Sequence, residues 1–284
     1  MEHGDGLFFF QAKYANDILT RPEMLNAISV STPLSTTDCL VSQGSSYFDP
    51  MLYQYLVSQF LHAPAVDHYQ AIKPILRYIK GTLAYGLHFN SPPTSSLIGY
   101  TNVEWAKCTE TCRSTYGYSI FLGGNLFSWS AKKQPTVSPS SCEYGYRSMA
   151  NTAPEIVWVT HLLLELHALP SDRPTLLCDN RSSLLLNQNP IFHKRAKHID
   201  IGYHFVQLYT RFVPMSLQLT NIFTKSLPRP PYENFRSKLG VAPPSLRLRG
   251  GYVCVCVSRW GGGGGIRDKI SRYLIILYNI VVSF

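Results

Sequence analysis

The chain has 284 residues, enough for one large or two small domains, and 45% of them are hydrophobic, so a sizeable core can be buried. Lys and Arg outnumber Asp and Glu by 26 to 17, which favours polyanionic partners, nucleic acid first. Seven scattered cysteines, with Cys108/Cys112 and Cys254/Cys256 lacking a second pair, exclude a disulfide scaffold or a zinc-finger pattern and point to reduced thiols in an intracellular protein, cytoplasmic or nuclear. The opening MEHGDGLFFFQ has neither a basic n-region nor a cleavage site, so no signal peptide is expected. The apolar C-terminal YLIILYNIVVSF is shorter than the roughly 20 residues of a bilayer span, so no membrane partner is expected either.

In chain order, GLFFFQ reads as a short strand followed by a helix through Tyr14, Ile18 and Leu19. Residues 31–50 are Ser/Thr-rich and turn-like. Residues 50–80 have a helical pattern: Leu52, Leu56 and Phe60, then Ile72, Ile75, Leu76 and Ile79, with Pro74 inside the second run and Gly81 as its stop. NSPPTSS at 90–96 is a linker and the expected domain boundary. Beyond it, 97–101, 116–122 and 126–130 are short, aromatic or β-branched, and read as a three-stranded meander with a Gly123-Gly124-Asn125 hairpin turn. A helix is expected over 140–169, with Ile156, Val159, Leu163 and Leu166 as its apolar stripe and Pro154 as a kink. A fourth strand is expected at 175–178, then helices at 181–188 and 195–210. The order β-β-β-α-β-α predicts an α/β fold with a mixed sheet. From Gly250 onward the alternating Val/Cys and the glycine run predict no packed element.

Several strings then carry a resemblance. LFFFQAKYANDIL, STPLS and QFLHAPAVDHYQAIKPILRYIKGTLAYGL come first. RSTYGYSIFLGGNLFSWSAKKQPTVSPSS, YRSMANTAPEIVW, CDNRSSLLL, NPIFHKRAKHIDIGYHFV and QLTNIFTKSLP follow in order. Together they resemble the plant copia-type (Ty1/copia) retrotransposon Pol polyprotein over residues 7–245: the end of its reverse transcriptase, then its ribonuclease H region. So many ordered strings are far more specific than one short motif. The resemblance implies a partial thumb/connection remnant over 1–90, a ribonuclease H-like domain over 95–245 and an unrelated or disordered tail over 246–284. The fold it implies is a five-stranded mixed sheet with helices, and the activity is cleavage of the RNA strand of RNA–DNA hybrids. In that family four carboxylates hold two divalent ions, usually Mg2+, one activating water and one stabilising the leaving oxygen.

The resemblance also marks where this copy departs. The first catalytic Asp of the family falls on Asn102 in YTNVEW, its Glu on Gly145 in SSCEYGYRS, and its fourth carboxylate on Asn221 in QLTNIFTK. Only Asp179, in CDN, is retained. The implied reading is a Pol fragment without productive Mg2+ binding. The alternatives are residual cleavage of a hybrid through Glu104 and Asp179, with Glu104 two residues along the strand from Asn102 and on the same face, or a relic that binds nucleic acid without cutting. Glu143, two residues before Gly145, lies about 200° round a helix and points elsewhere. The segment before QFLHAP and the one between HFV and FVP, where the family has its last strand, are shortened. The paired-Asp metal motif of a polymerase is absent.

Lys132, Lys133, Lys194, Arg195 and Lys197 are candidate phosphate contacts, of the kind that position nucleic acid without reading its sequence. His193, His198 and His204 with Asp200 fit a basic amphipathic helix better than a metal cluster, because no pair has a zinc spacing. Trp105, Trp129 and Trp158 are expected in the core. Cys178 is expected to be a buried small hydrophobe rather than a nucleophile.

Overall fold

The structure is a computed structural model that describes residues 6–33, 44–56, 62–91, 96–104, 113–134, 137, 140–170, 172–188, 208–244 and 252–254. In chain order its elements are β1 (Leu7–Phe10), α1 (Ala12–Thr20), α2 (Pro50–Leu56), α3 (Val66–Gly81), β2 (Gly86–Phe89), β3 (Leu97–Glu104), β4 (Thr115–Leu122), β5 (Asn125–Lys133) and α4 (Ser141–Glu165). They continue with β6 (Thr175–Cys178), α5 (Arg181–Gln188), β7 (Tyr209–Phe212), α6 (Asn221–Thr224), α7 (Arg229–Lys238), β8 (Val241–Ala242) and β9 (Tyr252–Cys254). Two units result, residues 1–91 with 226–284, and residues 92–225. Trp105, the Cys108/Cys112 pair, Cys256, residues 189–207 with Lys194, Arg195, Lys197 and the histidine group, and the tail beyond 254 lie outside the described residues.

The first unit is built on a sheet of order β8-β2-β1-β9. Phe8 is buried in it beside His88, with ring centroids 4.6 Å apart. The unit closes with a segment expected in the second domain. α7 brings Tyr232 edge-to-face against Tyr78 of α3 at 5.6 Å, and β8 pairs antiparallel with β2. Gly240, at φ 79°, makes the turn between them in a conformation that L side chains rarely adopt. The boundary therefore falls at Lys225 and not at 245. A three-residue strand, β9, also forms after Gly250, where no element was expected, and pairs parallel with β1. Pro74 does not end α3, which runs unbroken from Val66 to Gly81. One lost hydrogen bond is outweighed by the burial of Ile72, Ile75, Leu76, Tyr78 and Ile79 on one face.

The second unit is a five-stranded mixed sheet of order β5-β4-β3-β6-β7, the ribonuclease H-like α/β architecture the resemblance implies. β3, β4 and β5 form the antiparallel meander, and Gly123 and Gly124 turn β4 into β5 at φ 57° and 80°. β6 joins β3 in parallel, and β7 joins β6 in parallel. The core lies between this sheet and α4: Leu97, Ile120 and Leu176 meet Met149, Ile156 and Val159. Gly99 is needed beneath α4, because a Cβ there would come within 2.6 Å of the Ile156 side chain.

Two expectations are corrected in this unit. Residues 209–212 form a strand, not the end of a helix, because β6 offers its free edge to their backbone. α4 is the expected long helix, running from Ser141 to Glu165 with Pro154 inside it on an exposed position. Trp129 is core at 3% exposure, but Trp158 is 37% exposed, since it lies two residues from the buried Ile156, about 200° round the helix.

Candidate functional site

β3 and β6 run parallel with Thr101 opposite Cys178, so Asn102 and Asp179 emerge side by side at the carboxyl ends of neighbouring strands. That end of a parallel pair is where α/β sheets place their ligands. α4 crosses above and brings Gly145. α5 starts beside it and brings Arg181. Asn102, Gly145, Ser148, Asp179, Arg181 and Lys225 are among the residues lining one cavity of about 460 Å3.

Asn221 reaches the same place by another route. Its Oδ1 accepts a 2.8 Å hydrogen bond from Asn102 Nδ2, across 119 residues of chain, and both side chains are buried. Asn221 Nδ2 donates to the Met215 carbonyl at 2.8 Å, and Asn102 Oδ1 accepts from the Val103 amide at 2.6 Å. Gln218 Nε2 adds a 3.0 Å bond to the Thr101 carbonyl. Beneath them Thr152, Thr101 and Ser148 join hydroxyl to hydroxyl at 2.9 and 2.6 Å, and Ser148 donates to the Asn102 carbonyl at 3.2 Å. The end of β3 is thus fixed to α4 and to the segment leading into α6 by neutral hydrogen bonds.

Gly145 is enclosed. Asn180 caps α5 by accepting from the Ser183 amide at 3.0 Å, and its Nδ2 donates to the Ser141 carbonyl of α4 at 2.9 Å. Ser183 Oγ donates to the Cys142 carbonyl at 2.7 Å. The two helix starts are clamped together, and a Cβ added at Gly145 would overlap Ser183 Oγ and stand 3.0 Å from Ser183 Cβ.

Asp179 is the carboxylate on this cavity wall. Burial holds its carboxyl above the ordinary value, opposed by the Lys225 ammonium, by its own backbone amide and by the Gln218 side chain. Behind it Cys178 is 1% exposed, and burial pushes its thiol up to about 12. That is a packed small hydrophobe, since the reactive species is the thiolate.

Other expected residues stand elsewhere. Glu104 shares Asn102's side of β3 by alternation, but it does not line the cavity. The β3–β6 pairing ends at Thr101, and at Glu104, three residues farther along, the partner is Thr115 of β4. Glu143 is buried in an ion pair with Arg147 at 2.7 Å. Lys132 and Lys133 end β5, which β4 separates from β3. Among the described residues no group of three or more His, Cys, Asp or Glu is placed to hold a metal ion, and no helix is long and apolar enough to cross a membrane. Sequence reading passed over Arg181, Ser183, Gln218 and Lys225. Arg181 follows Asp179-Asn180 directly, and Lys225 is four residues, one helical turn, beyond Asn221.

No family model matches the chain. It is 39% identical over 270 residues to the retrovirus-related Pol polyprotein from transposon RE2 of Arabidopsis thaliana, covering 84% of this chain and 18% of that one. The Nicotiana tabacum polyprotein from transposon TNT 1-94 is 30% identical over 271 residues, 83% of this chain and 20% of that one. An uncharacterised mitochondrial protein of Arabidopsis thaliana is 39% identical over 176 residues, 55% of this chain and 73% of its own. The chain thus spans about a fifth of the length of the polyproteins it matches.

Proposed function

The chain belongs to the copia-type retrotransposon Pol polyprotein family, and from that premise we propose that it is a fragment carrying a ribonuclease H-like domain that no longer cleaves RNA–DNA hybrids. The observation that carries this reading is the hydrogen bond between Asn102 and Asn221. Two divalent ions held side by side need several carboxylates to offset their charge, and hard Mg2+ takes oxygen ligands of that kind. Of the four positions the family fills with carboxylates, two are amides bonded to each other, one is a glycine closed off by Ser183, and Asp179 alone is acidic. The residues present do not fit the two-metal group. Glu104 lies off the cavity and makes a poor substitute.

What remains is a nucleic-acid surface without chemistry. The chain's excess of Lys and Arg, and the two cations on the cavity wall, support contact with a phosphate backbone. The test is a labelled RNA–DNA hybrid incubated with the chain in Mg2+ or Mn2+. The RNA strand stays intact, while the hybrid is retained on a filter with an affinity that falls as salt rises, because phosphate contacts release counterions. Metal-dependent cleavage by the natural chain refutes the proposal.

A further inference from the structure

We infer that the cavity has reversed the sign of the ion it takes: it rejects divalent cations and accepts a phosphate group, on Arg181 and Lys225. The inference rests on the reading above that the site holds no metal pair, and it adds a ligand to it. Asp179 is the single carboxylate of the wall, and Arg181 and Lys225 are its two cations, so the cavity is net positive. Acidic residues at 102, 145 and 221 would make the same wall net negative with both cations kept. A cleft walled by protein focuses the field of whichever sign predominates.

The neutral residues add no charge against that field, and Asp179, which interacts with Lys225, is its single countercharge. The Asn102 and Asn221 amides satisfy each other and nearby backbone, so neither presents a lone oxygen to a cation. Gly145 presents nothing. The Arg181 guanidinium carbon lies 4.4 Å over the centroid of the Phe212 ring, which lines the same cavity, and a guanidinium offers a planar fork of N–H donors to an oxyanion. Lys225 follows α6, whose position is set by the bonds from Gln218 and Asn221 to β3 and the Met215 carbonyl. One cation is a planar fork and the other a point charge, a combination suited to a tetrahedral phosphate.

The test is calorimetric titration of the full chain with inorganic phosphate, and separately with MgCl2, at constant ionic strength held with NaCl. Phosphate is expected to bind saturably with one site and Mg2+ to show no saturable heat. Arg181→Gln with Lys225→Gln weakens phosphate binding by about tenfold or more, the loss expected when charge-assisted bonds are removed. Asn102→Asp tests the same point without removing a cation: returning one negative charge weakens phosphate binding and strengthens Mg2+ binding. Saturable Mg2+ binding by the natural chain, or phosphate binding unchanged by both sets of substitutions, overturns the inference. The outcomes separate it from the proposal it rests on: failure to bind phosphate in a chain that also leaves the hybrid uncut removes this inference alone, whereas metal-dependent cutting removes both.

Discussion

Ser183 occupies the space that any side chain at Gly145 would need, and its hydroxyl is committed to the Cys142 carbonyl at 2.7 Å. α4 and α5 have closed over the glycine, so Gly145→Glu alone forces two clamped helix starts apart. Overpacking of this kind costs about 1–3 kcal/mol. Urea unfolding monitored by circular dichroism should show that loss for Gly145→Glu and recover most of it in Gly145→Glu with Ser183→Gly.

The Asn102–Asn221 bond has a different failure mode. Asn221→Ala leaves the Asn102 amide buried with an unpaired donor, at a cost of about 1–3 kcal/mol. Asn102→Asp with Asn221→Asp places two acceptor-only carboxylates in contact, so repulsion is added to the lost bond. Melting of that double variant in EDTA should fall well below the natural chain. Added Mg2+ or a lower pH should restore it in part, while the natural chain should melt at the same temperature with and without Mg2+.

Asp179 makes a prediction whose sign is fixed by burial. Its carboxyl is held above the ordinary value, so the folded chain keeps the proton more tightly than the unfolded one. Stability contributed by the group therefore falls as pH rises from the unfolded value, about 3.9, through the folded one. Asp179→Asn should be more stable than the natural chain at pH 7, and the difference should close as the pH approaches about 4. A variant less stable at pH 7 would mean that the partners of the carboxylate outweigh its desolvation.

Cys178 should resist alkylation. Its thiol is 1% exposed and pushed up to about 12, so thiolate is scarce at pH 8. Iodoacetamide followed by peptide mass mapping should leave Cys178 unmodified in the folded chain and modify it in urea, with Cys142, half-buried at the start of α4, labelled ahead of it in the folded state.

Much of this arrangement was legible before any coordinates. The β3–β4–β5 meander follows from alternation and the Gly123-Gly124-Asn125 turn, the helix over 181–188 from local pattern, and the grouping of positions 102, 145, 179 and 221 from the resemblance carried by the ordered motifs. Failures came where tertiary contacts overrule local pattern. β7 has only four residues, and it is a strand because β6 presents an edge to it. α7 and β8 read as a continuation of the second domain, yet Tyr232 of α7 meets Tyr78 and the β8 backbone pairs with β2. Ser183 and Gln218 carry no chemical signature in sequence. Their importance lies in which backbone groups they reach across the fold.

The most direct measurement places carboxylates at the positions the family fills with them and asks for hybrid cleavage. A variant carrying Asn102→Asp, Gly145→Glu, Asn221→Asp and the relieving Ser183→Gly should be assayed beside the natural chain on a labelled RNA–DNA hybrid with Mg2+ and with Mn2+. The account predicts that the restored chain cuts the RNA strand only when metal is present and that the natural chain does not cut. Cleavage by the natural chain at a rate comparable to the restored one would contradict it.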